Sequence, residues 1–337
     1  MNNKINVLSC FDGMSCGRLA LKASGIEVSK YYSSEIEEAP MNVTRLNFPD
    51  TIFLGDVRNI KVSNLNKIDL LIGGSPCQNF SFAGKRNGAS TKCKVEILSL
   101  KQYLKLKEEG FEFSGQSYLF WEYMRVLTEL RKINPKIKFL LENVVMSKKW
   151  EKVISEALGV EPIEINSALV SAQNRRRLYW TNISDKIEQP KDLNIQKEDI
   201  LEDNKYKNKA SIIGRRINAA GKRDDYNKDI ELSQYLEVRE INQNKINCLT
   251  TVSKDNVLTN LPIGRHKDVY KNKLDFRNLL MIEIERLQTV PENYTLKGMN
   301  KANSIINIAE SMRRNMLGNG WTVKVISHIF SYMRYIK

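Results

Sequence analysis

The first half of this sequence predicts an α/β fold built on a parallel, doubly wound sheet, and three observations carry that expectation. Short apolar, β-rich runs alternate with amphipathic stretches, turn residues bound each run, and the texture changes after Trp180 to a polar segment rich in Asn, Lys and Asp. Continuous apolar runs suit strands covered on both faces, and helices between them demand crossover connections and parallel pairing. The expected strands are Ile5–Phe11, Tyr31–Ser33, Thr51–Leu54, Asp69–Ile72 and Ile137–Leu141. The helical patterns between them are Arg18–Ser24, Pro40–Leu46 and Leu119–Ile133, with a charged insertion at 89–114 that is helical around Val95–Glu109. Residues 185–275 read as a smaller second domain with β-like pieces at Leu236–Ile241 and Cys248–Val252. Helical patterning returns at Leu279–Leu287 and Val323–Met333, so the C-terminus rejoins the first domain.

Composition narrows the function. The 337 residues carry 53 Lys and Arg against 39 Asp and Glu, a net charge of +14, with 42% hydrophobic side chains. That length suits two domains with real cores. The basic excess is uneven: 1–80 is balanced, whereas 81–138 holds 12 basic against 6 acidic residues, 202–275 holds 15 against 11 and 276–337 holds 9 against 4. A polyanion is the simplest partner for such surfaces, because each neutralised phosphate releases counterions. No signal-like start and no apolar run near the roughly 20 residues of a membrane span occur, so neither secretion nor membrane insertion is expected. The five cysteines (Cys10, Cys16, Cys77, Cys93, Cys248) are odd in number and form no C-x-x-C pair, which fits a reducing cytoplasm. With only His266 and His328 available, a H-E-x-x-H metal site and a His-based triad lose their material, and no metal is expected.

Carboxylates and a cysteine mark the strand ends, where doubly wound sheets bind ligands. Strand one runs into Phe11-Asp12-Gly13-Met14-Ser15-Cys16-Gly17, a turn whose glycines let the backbone pass close to a ligand; a purely structural turn is the alternative. Glu35, at the end of strand two, suits the two hydroxyls of a ribose, and Asp56, after strand three, suits an adenine amino group. Without phosphate-binding glycines, the trio favours an adenosine cofactor lacking a pyrophosphate over a dinucleotide. After strand four, Gly73-Gly74-Ser75-Pro76-Cys77-Gln78 presents Cys77 on a rigid turn, where an inert buried thiol is the default alternative. Glu142 ends an apolar strand, a costly position unless it is paired or functional. In Gln173-Asn174-Arg175-Arg176-Arg177, the two-residue strand period puts Arg175 and Arg177 on one face, positioned to fix Glu142 and substrate or, alternatively, to contact phosphate.

Taken in order, these blocks resemble those of DNA (cytosine-5)-methyltransferases. The segment 73–86 is similar to the family's nucleophile loop, Glu142-Asn143-Val144 to its glutamate motif and Gln173–Arg177 to its Gln-x-Arg-x-Arg motif. Arg277, Leu279, Glu283, Arg286-Leu287-Gln288 and Pro291 match the block closing the recognition domain, and Gly318-Asn319-Gly320 the final cofactor block. Ser34-Glu35-Ile36, Gly55-Asp56-Val57-Arg58, Glu142-Asn143-Val144-Val145 and Gly320-Trp321-Thr322-Val323 look closer to the mammalian de novo subgroup. Asn174–Arg177 and Phe80–Arg86 are bacterial in style. The chain departs from common bacterial members at Ser171-Ala172, where a Val-Pro often precedes the glutamine, and at Gly320-Trp321, where a serine often follows the asparagine.

The resemblance implies a Rossmann-like class I S-adenosylmethionine-dependent methyltransferase sheet in 1–181, a target-recognition domain in 182–275 and a returning segment in 276–337. It implies Cys77 as nucleophile toward cytosine C6, with Glu142 at N3 and the exocyclic amine, and Arg175 and Arg177 holding geometry. Cofactor contacts are expected from Phe11, Asp12, Gly13, Met14, Ser15, Gly17, Glu35, Ile36, Asp56, Val57, Pro76, Leu119, Asn319 and Trp321. DNA contacts are expected from Gln78, Ser81, Lys85, Arg86, Lys222, Arg223, Thr250 and Thr251, the loop Gln78–Gly88 closing over a flipped base. S-adenosylmethionine is the implied cofactor, S-adenosylhomocysteine its product, and double-stranded DNA the implied partner of a bacterial or phage monomer, with a cognate restriction endonuclease as a further partner. Two rivals are an RNA cytosine-5 methyltransferase acting on transfer RNA and a DNA-binding relative without catalysis; the length of 182–275 favours DNA, and the intact Cys77, Glu142 and Arg175 favour catalysis.

Overall fold

The computed structural model describes residues 4–77, 80, 88–220, 222, 224, 227–240, 243–267 and 269–335. Strands β1 (Ile5–Cys10), β2 (Val28–Ser34), β3 (Ile52–Phe53) and β4 (Leu70–Gly74) alternate with helices α1 (Cys16–Ala23) and α2 (Glu38–Asn47). The insertion folds as a small ribbon, β5 (Ser90–Thr91) and β6 (Phe113–Ser114), around α3 (Leu100–Glu108). Helix α4 (Phe120–Ile133), β7 (Lys138–Val144), α5 (Lys148–Leu158), β8 (Ile163–Asn166) and β9 (Arg176–Thr181) complete the first half.

The main sheet has seven strands in the order β3-β2-β1-β4-β7-β9-β8. Its β3-β2-β1-β4-β7 portion is parallel, as expected. The β7–β9 and β8–β9 pairs are antiparallel, so the sheet is mixed. The short link from Asn166 to Arg176 explains the reversal, since a tight connection joins only antiparallel neighbours. The central strands β1, β4 and β7 carry consecutive apolar residues because both their faces are covered: one core contains Val7, Leu70, Ile72 and Leu140, the other Leu8, Leu71, Phe139 and Leu141.

A second sheet, order β13-β11-β10-β12-β14, is antiparallel throughout. Its strands are β10 (Asn208–Arg215), β11 (Ser233–Val238), β12 (Val257–Thr259), β13 (Gly264–Lys267) and β14 (Phe276–Asn278). It shelters a small core of Ala210, Ile212, Leu236, Val238, Val257 and Val269. The lobes divide along a different line from the change in composition. Ile183, Ile187, Ile200, Leu201 and Tyr206 pack into the first core, while β14 extends the second sheet past residue 275 by pairing with β12. The piece expected as a strand at Cys248–Val252 is a loop. The chain then returns through α6 (Met281–Leu287), the hairpin β15 (Lys297–Met299) and β16 (Ile305–Asn307), α7 (Glu310–Asn319) and α8 (Val323–Ser331). Helix α8 seats Val323, Val325, Ile326, Ile329 and Phe330 in the first core, against α1. Among the described residues, no helix is long and apolar enough to cross a membrane.

Candidate active site

A cavity of about 1680 Å³ opens between the carboxyl ends of the main sheet and the second sheet. The turn after β1 forms one wall. Phe11, Gly13 and Ser15 all have positive φ (57°, 57° and 60°), and nothing lies within 4 Å of where a side chain on Gly13 would start. Backbone strain of this kind persists only where surrounding structure holds it. Here Asp12 does so from within, accepting from Ser15 Oγ at 2.5 Å and Tyr31 OH at 2.7 Å, and its burial raises the pKa of its carboxyl.

Glu35 lines the same wall. Its carboxylate accepts from the backbone N–H groups of Gly13 (2.8 Å), Ile36 (2.7 Å) and Glu37 (2.9 Å), which occupies three of roughly four acceptor positions and leaves one toward the cavity. Burial raises its pKa. Asp56 caps the turn at Val57–Asn59 and faces Arg58, whose guanidinium holds its carboxyl below the usual range. Phe11, Met14, Ile36, Val57, Pro76, Leu119 and Asn319 line the cavity with these groups.

Two residues expected at the cofactor stand behind it instead. Ser15 is fully buried, bonded to Asp12 and Thr44. Gly17 is required by packing: a side chain there would start 2.4 Å from Ile72 Cδ1 and 3.3 Å from Trp321.

Strands β4 and β7 bring the reactive groups together. Gly74 pairs with Glu142 in the parallel register, so the turn carrying Cys77 starts beside the carboxylate. Asn143 tightens that turn by donating Nδ2 to Ser75 O (3.2 Å) and Ser75 Oγ (3.0 Å). Across the antiparallel pair, Arg177 opposes Val144 and so lies diagonally from Glu142 on the same face. Its Nε is 3.0 Å from Glu142 Oε1. The other carboxylate oxygen, Oε2, accepts from Trp321 Nε1 at 3.1 Å. Gly74 makes this bridge possible, because a side chain there would start 2.8 Å from Trp321 Nε1 and 3.1 Å from Glu142 Oε2. Trp321, expected as a cofactor contact, therefore also holds the glutamate. The Cys77 thiol is half-buried; burial and the Glu142 charge raise its pKa, while Arg177 and Arg175 oppose the rise.

Arg175 does not reach Glu142. Its guanidinium is buried and donates to backbone carbonyls: Leu249 O (2.9 Å) through Nη1, and Gly318 O (3.2 Å) and Gly320 O (2.9 Å) through Nη2. It clamps the loop from the second lobe to the segment before α8. Gln173, fully buried, completes the clasp by donating to Leu287 O and Gln288 Oε1 and accepting from Leu249 N. Sequence reasoning had no signal for these acceptors, because carbonyls carry no residue identity. It also passed over Cys248, whose Sγ lies 3.5 Å from Arg175 Nη1 and 3.7 Å from Arg177 Nη2.

Of the expected nucleic-acid contacts, Thr250 and Thr251 are exposed on the cavity rim, Thr250 Oγ1 donating to Asp255 Oδ2 at 2.5 Å. Lys222 is exposed and outside the cavity lining. Gln78, Ser81, Lys85, Arg86 and Arg223 lie outside the described residues. The insertion acquires a structural account. Tyr103 OH (2.6 Å) and Lys107 Nζ (2.5 Å) of α3 bond fully buried Glu122 Oε1, Arg125 Nε bonds its Oε2 (2.7 Å), and Arg125 also donates to Val57 O (3.1 Å). The insertion thereby braces the turn that presents Asp56.

The profile of the C-5 cytosine-specific DNA methylases matches residues 5–334. The chain belongs to that family. Among curated relatives, type II methyltransferase M.NgoBV of Neisseria gonorrhoeae is 27% identical over 186 residues, 53% of this chain and 41% of that protein, so the match spans under half of the relative's length. Type II methyltransferase M.Bsp6I of Bacillus sp. (strain RFL6) is 25% identical over 93% of this chain and 100% of its own. The crystal structure of a Spodoptera frugiperda DNMT2 mutant shares the family's fold with a TM-score of 0.56 at 18% identity, covering 98% of this chain and 100% of that one.

Proposed function

We propose that this chain methylates cytosine at C5 in a short duplex DNA sequence, taking the methyl group from S-adenosylmethionine through a covalent adduct between Cys77 and cytosine C6. The observation that carries this reading is the convergence of Cys77, Glu142 and Arg177 on one sheet edge, beside a turn suited to an adenosine. That turn fits the cofactor: Gly13 opens onto free space, Glu35 keeps an acceptor position for ribose, and Asp56 offers a carboxylate at the apolar wall of Ile36, Val57 and Leu119. When bound, S-adenosylmethionine supplies an electrophilic methyl group on a sulfonium.

Cytosine C5 is a poor nucleophile until C6 is attacked, and a thiolate is suited to that attack. Cys77 supplies it, its proton passing to solvent. Glu142 holds a proton at N3 and accepts from the exocyclic amine, stabilising charge as the ring loses aromaticity. Arg177 and Trp321 fix the carboxylate from either side, and Arg175 keeps the roof of the site closed. After methyl transfer the C5 proton passes to water, the C6–S bond breaks with its electron pair leaving on the Cys77 sulfur, and the thiolate so released is reprotonated from solvent. Stacking hides both faces of a cytosine in a duplex, so the base is extruded into the cavity. In this reading the second lobe selects the DNA sequence and the chain acts as a monomer.

Labelled S-adenosylmethionine, incubated with the protein and its Cys77→Ser variant on unmethylated genomic DNA or transfer RNA and followed by base-resolution mapping, tests the proposal. Label in DNA that vanishes in the variant is expected. Label only in RNA would move the substrate, and DNA binding without label would remove the catalytic assignment.

A further inference from the structure

Lys209 occupies an unusual position in the second lobe. It is the second residue of β10, whose Ala210 and Ile212 point into the small core, so the strand's alternation turns Lys209, Ser211 and Ile213 toward the cavity. Lys209 is only 6% exposed, and its Nζ has no hydrogen bond or ion pair among the described residues. Other lysines nearby, buried Lys197 and part-buried Lys245, are satisfied. Lys197 bonds Gln243 O at 2.7 Å and Glu198 at 2.6 Å, and Lys245 bonds the carbonyls of Ala168, Ser171 and Ile195. Burial, together with the charge of Lys197, lowers the Lys209 pKa to about 8.

The stem of Lys209 is buried while its ammonium, which is not among the sealed unpaired atoms of the described residues, reaches the cavity, so a ligand that displaces the water there must supply an acceptor in its place. The surroundings say what kind. Glu237 faces Ser211 across the β10–β11 register, and Asp255 lines the same cavity. Glu237 is neutralised by its pairs with Arg239 and Arg265, and the Asp255 carboxylate is the group that disfavours a phosphate at this spot. An uncharged edge with closely spaced acceptors is accommodated, with Asn247, whose Nδ2 lies 3.4 Å from Ser211 Oγ, as a second polar neighbour. In the major groove, guanine presents two acceptors, N7 and O6, side by side.

We propose that Lys209 is a specificity-determining residue that donates to the N7/O6 edge of a guanine in the recognition sequence. The inference rests on the reading of the chain as a DNA methyltransferase. Its selectivity follows from the missing partner: any base without an acceptor there leaves the ammonium buried and unpaired, a stronger penalty than an exposed lysine would impose.

The test compares methylation maps of the wild-type protein, Lys209→Gln and Lys209→Met on genomic DNA, with the salt dependence of duplex binding measured in parallel. A wild-type map containing 5-methylcytosine establishes the underlying reading on its own; its absence would overturn that reading and this inference with it. Given that map, both variants are expected to accept other bases at one guanine position, discrimination there falling about 5- to 150-fold, with the salt slope unchanged. Lys209→Met also removes a charge that burial disfavours and keeps the apolar stem, so its Tm is expected to be no lower than wild type, which separates lost readout from lost folding. An unchanged sequence preference would overturn the inference, as would uniform weakening across sequences with a salt slope reduced by roughly 0.9, the mark of a phosphate contact.

Discussion

Cys77 sits where two requirements conflict. The thiolate is the reactive form, yet burial and the neighbouring Glu142 carboxylate raise the pKa of the thiol, with Arg177 and Arg175 opposing them. In the free protein, alkylation of Cys77 by iodoacetamide should therefore keep rising with pH above the range of an ordinary thiol, near 8.5. Glu142→Gln removes a negative charge and releases Arg177 from its ion pair, so the thiolate becomes more available. Peptide-level mass spectrometry should find Cys77 alkylated roughly 3- to 10-fold faster at pH 7.5 in that variant, while methylation is lost. Slower alkylation would mean that Arg177 acts on the thiol only when Glu142 orders it. Trp321 makes a second case at this scale. Trp321→Phe keeps the ring packed on Gly17 but deletes the donor to Glu142 Oε2. Loss of a hydrogen bond to a charged group corresponds to about 10- to 100-fold in kcat, with KM for S-adenosylmethionine little changed. A tenfold rise in that KM at constant kcat would return Trp321 to the cofactor wall that its sequence block suggested.

Element geometry explains what the sequence made legible and what it concealed. The parallel strands could be read because Val7, Leu8, Leu70, Leu71, Ile72, Phe139, Leu140 and Leu141 are apolar on consecutive positions, the pattern of a strand covered on both faces. Glu142 and Cys77 could be read because polar groups at the ends of such strands stand out. Strand β8 was hidden, since Ile163-Glu164-Ile165-Asn166 is a short edge strand with an ordinary polar alternation. Cys248–Val252 has β-forming side chains, but Arg175 and Gln173 capture the backbone groups of Leu249, and tertiary bonding overrides local preference. Gly74 carried no distinguishing signal as one glycine of a Gly-Gly pair, and its role emerges only when β4, β7 and the segment after α7 meet. Gly74→Ala would drive a methyl into the Trp321–Glu142 bridge. Overpacking of this kind costs about 1–3 kcal/mol; a lower Tm is expected together with a drop in kcat larger than that of Trp321→Phe. An alanine variant of wild-type activity would show that the bridge yields without cost.

At the scale of the whole molecule, the two sheets differ in what holds them. The main sheet lies between two extensive cores, whereas the second sheet has a core of six buried apolar residues among the described ones and is tied back by Leu258, which packs into the first core, and by the Arg175 and Gln173 clasp. Local opening free energies follow the apolar contacts an element must break. Amides of β10 and β11 should therefore exchange hydrogen by partial opening well before those of β1, β4 and β7, which should exchange only on global unfolding. The same asymmetry separates the two ligands. If the turns after β1, β2 and β3 hold S-adenosylmethionine as proposed, it should slow exchange at Gly13, Ile36 and Glu37 and leave β10 and β11 almost unaffected. Duplex DNA carrying the recognition sequence should protect β10 and β11, since their inward faces line the cavity. A mass-spectrometric exchange series on the free protein and on each complex reads all of this in one experiment. If the cofactor alone protected β10 and β11 as strongly as DNA does, the clasp would be transmitting occupancy of one lobe to the other, and the second sheet would have to be treated as part of the cofactor-responsive unit rather than as an independently opening surface.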